Sequence, residues 1–278
     1  MRVCIDIVRP FAETRDEQMP PMDAQPKISL IIPCWSNSAE AIELAKRWSG
    51  HALVQEVILA AVAGVPAPLP ADGWKVCYAD RPGRGLQLNL GAELATGDIL
   101  LFHHVDSHLS EDHLISLARA MRNPGVVGGA FYRKFDRRHP HLLWAEPIER
   151  WHSRTFGALY GDQSIFVRRA HFLRLGGFAP IPLMEDVEFT RRLRRSGPLA
   201  LLDPPMATSP DRQIAHGPWR TTARNWLFLV LFQFGVSPHL LHAWYYRKTK
   251  KDSSGATAGH GVSAPPPETF ATLEERGA

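Results

Sequence analysis

Two rhythms of apolar residues run along this chain. Short β-branched and aliphatic runs, Ile28 to Ile32, Val54 to Ala61, Val76 to Tyr78, Ile99 to Phe102, Val126 to Phe131 and Ser164 to Val167, read as strands. Between them lie stretches with helical spacing. One is capped by Ser38 and carries Ala41, Leu44, Ala45 and Trp48 on one face; a second covers residues 86 to 95. A third follows Ser110, with Glu111 and Asp112 in its first turn and Leu114, Leu117, Ala118 and Met121 on one face. A fourth opens at Glu185, Asp186 and Glu188 and closes on Arg191, Arg192, Arg194 and Arg195 before Gly197, a charge order that complements the helix dipole. Strands alternating with helices predict βαβ units, hence an α/β fold with a mainly parallel, Rossmann-like central sheet flanked by helices. Ligands of such sheets bind outside the carboxyl ends of the strands.

The pattern also sets the domain limits. Residues 10 to 26 hold four prolines and scattered charge, so residues 1–26 read as an extension or linker, with Met19 and Met22 as alternative starts. A single domain then runs over 27–248, and the small, polar, proline-rich segment 249–278 reads as a disordered tail. The chain opens Met1-Arg2-Val3-Cys4-Ile5-Asp6, where early charges are unlike a secretory signal. The longest apolar run, from Trp226 to Val236, is shorter than the about 20 residues that span a bilayer. It predicts a helix that is either buried core, the favoured reading, or a membrane-surface element. The aromatic and cationic Trp244-Tyr245-Tyr246-Arg247-Lys248 suits a headgroup region, so any membrane contact is expected to be peripheral.

Composition narrows the classes. At 278 residues, 45% hydrophobic and 22% charged, the chain has material for a sizeable core. A net charge of +4 fits an anionic ligand or surface but is too small an excess to argue for nucleic acid. Three distant cysteines, Cys4, Cys34 and Cys77, without CxxC spacing indicate neither a disulfide framework nor a zinc site, and point to a cytoplasmic protein, at most peripheral at the inner face of the membrane.

The candidate chemistry lies in acidic positions at element ends. Asp106 follows the run Ile99-Leu100-Leu101-Phe102-His103-His104-Val105, which places it at the sheet rim with His104 two positions earlier on the same face. A Mg²⁺ or Mn²⁺ ion bridging two phosphates needs only one or two protein ligands, and these residues can supply them; a solvated strand-end Asp is the plainer alternative. Gly83-Arg84-Gly85 enters a helix bearing Gln87 and Asn89, either as a phosphate cradle or as a simple glycine turn. Asp162 and Gln163, in Tyr160-Gly161-Asp162-Gln163, either bind hydroxyls or cap their own turn. Glu185 and Asp186 follow Gly176-Gly177-Phe178 and the turn-forming Pro180 and Pro182.

These segments resemble the family 2 glycosyltransferases of GT-A (nucleotide-diphospho-sugar transferase) fold, and in detail the branch called arsenosugar-biosynthesis glycosyltransferase-like. The similar stretches are 28–33, 83–92, 97–106, 124–131, 160–169 and 176–186, within residues 27 to 247. The resemblance implies a GT-A domain with C-terminal helices that moves a sugar from a nucleotide donor to a small or lipid-like acceptor, inverting and metal-assisted. It implies Asp106 as metal ligand, with His104 where many relatives carry the first Asp of a DxD element. Pro33, Arg84, Gln87, Asn89, His104, Asp106 and Arg212 then belong to donor binding, Asp162 and Gln163 to the acceptor, Asp186 to the general base and Glu185 to its support.

The sequence departs from that family at the second strand. Relatives end it with an Asp-containing run that recognises base and ribose, whereas this chain has Ala60-Ala61-Val62-Ala63-Gly64. Losing such a hydrogen bond costs on the order of 1.5–3 kcal/mol of donor binding; Asp80 on the next strand is a candidate substitute. Two other classes stay open. A non-catalytic sugar-nucleotide or partner-binding relative is favoured by Ala61 and opposed by Asp106 and Asp186. A nucleotidyltransferase would carry a glycine-rich, lysine-containing loop where this chain has Pro33-Cys34-Trp35-Ser36-Asn37-Ser38.

Overall fold

The computed structural model describes residues 25–35, 38–64, 70–135, 147, 150, 159–208 and 218–252. Its elements are β1 (Ile28–Pro33), α1 (Ser38–Trp48), β2 (Val54–Val62), β3 (Trp74–Ala79), α2 (Arg84–Leu94), β4 (Ile99–Phe102), β5 (Ser107–His108), α3 (Glu111–Met121), β6 (Gly128–Phe135), a 3₁₀ turn (Gly161–Gln163), β7 (Phe166–Arg168), α4 (Arg169–Arg174), α5 (Glu185–Ser196), β8 (Leu199–Thr208), α6 (Pro218–Gln233) and α7 (Pro238–Asp252). They build one eight-stranded sheet of order β3-β2-β1-β4-β7-β6-β8-β5. The half formed by β3, β2, β1 and β4 is parallel, as the βαβ alternation predicts. The other half is mixed, with β7 antiparallel to β4 and β6, and β8 parallel to β6.

Helices cover both faces because the strands are apolar on both sides. Ile28, Leu30 and Ile32 of β1 face Ala41, Ala45 and Trp48 of α1, and Leu114, Leu117 and Met121 of α3 pack into the same layer. Ile31, with Leu100 and Phe102 of β4, faces the opposite layer, where Leu88 and Ala92 of α2 meet Phe172 of α4 and Phe189 of α5. Both helical faces expected around Ala41 and Leu114 are therefore core faces.

Three expectations change. Strand β8 was not expected, since Asp203, Pro204 and Pro205 interrupt its apolar pattern. In the sheet those residues occupy an irregularity: Phe131 pairs with Leu202 and Arg133 with Met206, so three residues of β8 oppose one of β6. A bulge there accommodates prolines that have no N–H for the ladder. The run from Trp226 to Val236 is not core. Phe228 and Leu229 are buried, but Leu227, Val230 and Phe234 are exposed, because α6 packs through one face only. Helix α7 continues to Asp252, four residues into the expected tail; residues 1–24 and 253–278 lie outside the described residues.

One polar node fastens the parallel half at its amino ends. The Glu56 carboxylate on β2 accepts hydrogen bonds from Ser29 Oγ at 2.6 Å, Lys75 Nζ at 2.6 Å, Thr96 N at 2.6 Å and Thr96 Oγ1 at 3.0 Å. Burial opposes its ionisation, yet these donors outweigh burial and hold the carboxyl down at about 2, below its ordinary 4.5. A depressed carboxyl stabilises the fold fully above its unfolded value and loses that contribution as pH falls through the folded value. Replacing Glu56 by Gln should therefore lower stability by about 1–3 kcal/mol at neutral pH. Urea unfolding should show the two proteins converging between pH 4.5 and about 2.

Candidate active site

The acidic pair is placed by packing. A phenylalanine cluster, Phe102, Phe172, Phe178 and Phe189, with ring centroids 4.6 to 5.5 Å apart, clamps the segment before α5 and α5 itself onto β4. The Asn89 side chain of α2 exchanges two hydrogen bonds of 2.9 Å with the backbone of Phe178. From the other side, Arg192 donates to the carbonyls of Leu175 and Gly177 while pairing with Glu188 at 2.6 Å. Held at both ends, the segment turns through Met184 in the left-handed region (φ 66°) and starts α5 at Glu185. A non-glycine residue there carries local strain that the surrounding contacts must offset.

Glu185 and Asp186 then share one cation. Arg84 Nη1 lies 3.5 Å from Glu185 Oε1 and 3.7 Å from Asp186 Oδ2. Asp186 is also hydrogen-bonded by backbone amides, Gly161 N–H to Oδ2 at 2.7 Å and Val187 N–H to Oδ1 at 2.8 Å. Burial first and the adjacent Asp186 second push the Glu185 carboxyl up to about 7, with Arg84 opposing. Gly161 matters for its missing side chain, since a Cβ there would fall on the Arg84 guanidinium. The Nε of Arg84 is buried without a hydrogen-bond partner among the described residues.

The turn Gly161–Gln163 joins this pair to the β4 rim. Asp162 pairs with Arg133 of β6 at 2.5 Å, and its backbone carbonyl accepts from Ser107 Oγ at 3.3 Å. Burial disfavours the Asp162 carboxylate, but Arg133 foremost, then Arg84 and His104, hold its carboxyl below the usual range. Gln163 is buried, and its side-chain oxygen accepts the Tyr160 N–H at 2.8 Å. Beyond the turn, Ser164 sits at φ 53° and meets the fully enclosed His103 ring, Oγ to Nδ1, at 2.8 Å. His103 Nε2 lies 3.1 Å from the Ser107 carbonyl, which can only accept, so Nε2 carries the proton and Nδ1 accepts from Ser164. Burial, then His104, pushes this ring down to about 3 and keeps it neutral.

Asp106 is exposed, but its setting differs from the expected strand tip. Strand β4 ends at Phe102, and His104 and Asp106 stand in the turn leading to β5. Their proximity, 3.4 Å from His104 Nδ1 to Asp106 Oδ2, comes from that turn, in which the Asp106 N–H donates to His104 Nδ1 at 3.2 Å. Among the described residues no group of three or more His, Cys, Asp or Glu side chains is placed to hold a metal ion. One exposed carboxylate beside an imidazole nevertheless fits a hard divalent ion that takes its other ligands from phosphate oxygens and water.

The remaining expected donor residues divide. Pro33 ends β1 in register with Ala60. Gln87 is buried, and its amide donates to the carbonyls of Cys34 at 3.0 Å and Ala60 at 2.7 Å, so both amide hydrogens tie strand ends to α2. Asn89 is likewise engaged with Phe178. Arg212 lies outside the described residues. Ala61 is buried at the β2 end, and Asp80 is exposed just past β3. Sequence reasoning missed Arg133 and His103. An arginine directly after the apolar run 128–132 of β6 is a signal for the former; His103 carries none that separates it from His104.

The family profile described as glycosyl transferase family 2 matches residues 62–174. Among solved structures, a mannosyltransferase from Pyrobaculum calidifontis in complex with GDP-Man and Mn²⁺ is similar over 92% of this chain and 82% of that one, at 17% identity and a TM-score of 0.55. Glucosyl-3-phosphoglycerate synthase from Mycobacterium tuberculosis, in complex with Mn²⁺, UDP and glucosyl-3-phosphoglycerate, is similar over 77% of this chain and 82% of that one, at 17% identity and a TM-score of 0.50. No curated protein matches the chain.

The contact of Gly161 with Arg84 generates a test. Gly161→Ala should displace the guanidinium and lower stability by about 1–3 kcal/mol, the usual range for overpacking. In an Arg84→Ala background most of that loss should vanish, because the clashing group is gone. Thermal melts of the four proteins in this cycle measure the coupling.

Proposed function

Because the glycosyl transferase family 2 profile matches residues 62–174 and the fold is that of GT-A enzymes, we propose that the chain is a member of that family, that it transfers a sugar from a nucleotide donor to a small or lipid-like acceptor, with inversion, and that Asp186 is the general base. The observation that carries the reading is the convergence of Arg84, Asp162 and the Glu185–Asp186 pair on the turn Gly161–Gln163, which Ser107 ties to the segment bearing Asp106. Groups suited to hydroxyl chemistry and groups suited to a metal-bound pyrophosphate thus lie on segments joined by a hydrogen bond. The arsenosugar-biosynthesis-like branch is part of this reading on the sequence stretches alone.

Asp186 is the better base of the pair for a physical reason. Glu185 keeps its proton to about 7 and its side chain is 9% exposed, whereas Asp186 is 17% exposed at the helix start. Amide donors from Gly161 and Val187 hold the Asp186 carboxylate in one orientation, so it can accept the acceptor's hydroxyl proton as the oxygen attacks the anomeric carbon. Glu185 and Arg84 keep it there. Asp162, fixed by Arg133, and Gln163 are assigned to the acceptor side and Pro33, Arg84, His104 and Asp106 to the donor side, with Arg212 added on the sequence resemblance alone, while Gln87 and Asn89 position α2. Asp106, with His104, would hold the divalent ion. When bound, Mn²⁺ or Mg²⁺ supplies charge neutralisation for the departing nucleoside diphosphate, and the neighbours' Mn²⁺ complexes support that choice.

A second reading, a sugar-nucleotide-binding relative without turnover, draws on the buried Ala61 where a base-recognising carboxylate is expected. A thermal-shift panel of nucleotide sugars with and without Mn²⁺, followed by assay of bound donors for transfer, separates the two. Donor binding without hydrolysis or transfer supports the second, and no donor binding at all defeats both.

Two substitutions test the assigned roles. Asp106→Asn, at an exposed turn, should leave the melting temperature unchanged but abolish most of the Mn²⁺ dependence of donor binding; calorimetry showing unchanged affinity would reduce Asp106 to a turn residue. Asp186→Asn should retain donor and metal binding and lower turnover by about 10² to 10⁴, the range for loss of a general base. Steady-state rates at wild-type level would place the base elsewhere.

A further inference from the structure

We propose that α6 and α7 form a docking element for an anionic lipid bilayer, a surface separate from the transfer site. Leu227, Val230 and Phe234, spaced three and four apart on one face of α6 and its end, are 55%, 41% and 77% exposed. Leu240 and Trp244, four apart on α7, are 44% and 43% exposed. The two helices hold one another through other faces. Phe228 meets the Tyr245 ring edge-on at 6.0 Å between centroids, the Arg224 guanidinium lies 4.5 Å over the same ring, and Leu229 and Leu241 are buried. The apolar stripes are thus spare once the helices are packed.

Charge identifies the partner. Helices α6 and α7, residues 218–252, contain six Lys and Arg and one acid, the terminal Asp252, for a net charge of +5, whereas the whole chain has a net charge of +4, which leaves the remainder with a net charge of −1. Four of the six cations, Arg247, Lys248, Lys250 and Lys251, follow the aromatic residues Trp244 to Tyr246 in sequence. Apolar stripes, aromatic rings and a basic segment in one element match a surface with an apolar interior and anionic headgroups. Nucleic acid offers no place for the stripes. No helix among the described residues is long and apolar enough to cross a membrane, so the element lies on the bilayer.

Flotation of the full chain with vesicles tests this. The protein should float with phosphatidylcholine vesicles that contain phosphatidylglycerol, not with phosphatidylcholine alone, and high salt should release it. Lys248→Gln with Lys250→Gln and Lys251→Gln should lower partitioning about fivefold for each cation removed. Leu227→Ser with Phe234→Ser should lower it by about tenfold or more, and Phe234→Ser alone, at the most exposed site, by less. All variants should melt as wild type does. Equal flotation with neutral vesicles, or none with anionic ones, overturns the proposal. So does a concentration-dependent dimer that the Leu227→Ser, Phe234→Ser variant dissolves, which would assign the face to a second copy of the chain.

Discussion

The hydrogen bond from the Gly161 amide to Asp186 Oδ2 is the contact on which the site depends. It joins a turn between β6 and β7 to the first residues of α5, and it forms only because position 161 has no side chain to meet the Arg84 guanidinium. Arg84 comes from a third segment, the start of α2, and lies within 4 Å of both acids. Three stretches, at residues 84, 161 and 185–186 and so spanning about a hundred residues of sequence, are thereby held around two carboxyl groups. Bringing two acids together in a half-buried place is unfavourable unless a cation and backbone amides share the charge, and here one guanidinium and two amides do so.

The scaffold behind this contact is stiff for apolar reasons. Four phenylalanines lock the loop before α5 against β4, and the polar side chains around them, Asn89 and Arg192, satisfy the loop's backbone groups. Met184 and Ser164, both non-glycine residues at positive φ, flank the acidic pair and the turn that faces it. Strain at these two places is tolerated because the contacts on either side leave the backbone no alternative. Rigid presentation suits the role proposed for Asp186, in which its carboxylate would meet a hydroxyl at hydrogen-bond distance.

Burial sorts the two acids into different tasks. Glu185, enclosed by α2 and the Phe178 segment, is raised to about 7, so its contribution at lower pH is a held proton rather than a charge. The proposed donor end is less crowded with charge: half-buried His104 and exposed Asp106 pair on a turn, and the β2 end carries the buried Ala61. In the proposed function, metal and phosphate contacts would give a donor there what it lacks in side-chain recognition of its base. The proposed role of the basic α6–α7 segment would add a different kind of attraction, towards a surface rather than a small molecule.

The parallel half of the sheet, its flanking helices and the acidic opening of α5 were legible in the chain because they rest on periodic apolar spacing and on charges at helix ends, both local properties. Asp106, Glu185, Asp186 and Arg84 could be singled out as residue types at element ends. Their relationships could not. That Arg84 faces the acids, that Arg133 fixes Asp162, and that Gln87 and Asn89 spend their amides on Cys34, Ala60 and Phe178 are contacts between segments distant in sequence. The same limit explains β8, whose prolines read as a break until a bulge against β6 takes them in, and α6, whose apolar run could not reveal how much of it the body would cover. Periodicity states which residues share a face; only packing decides whether that face is buried, paired or left for a partner.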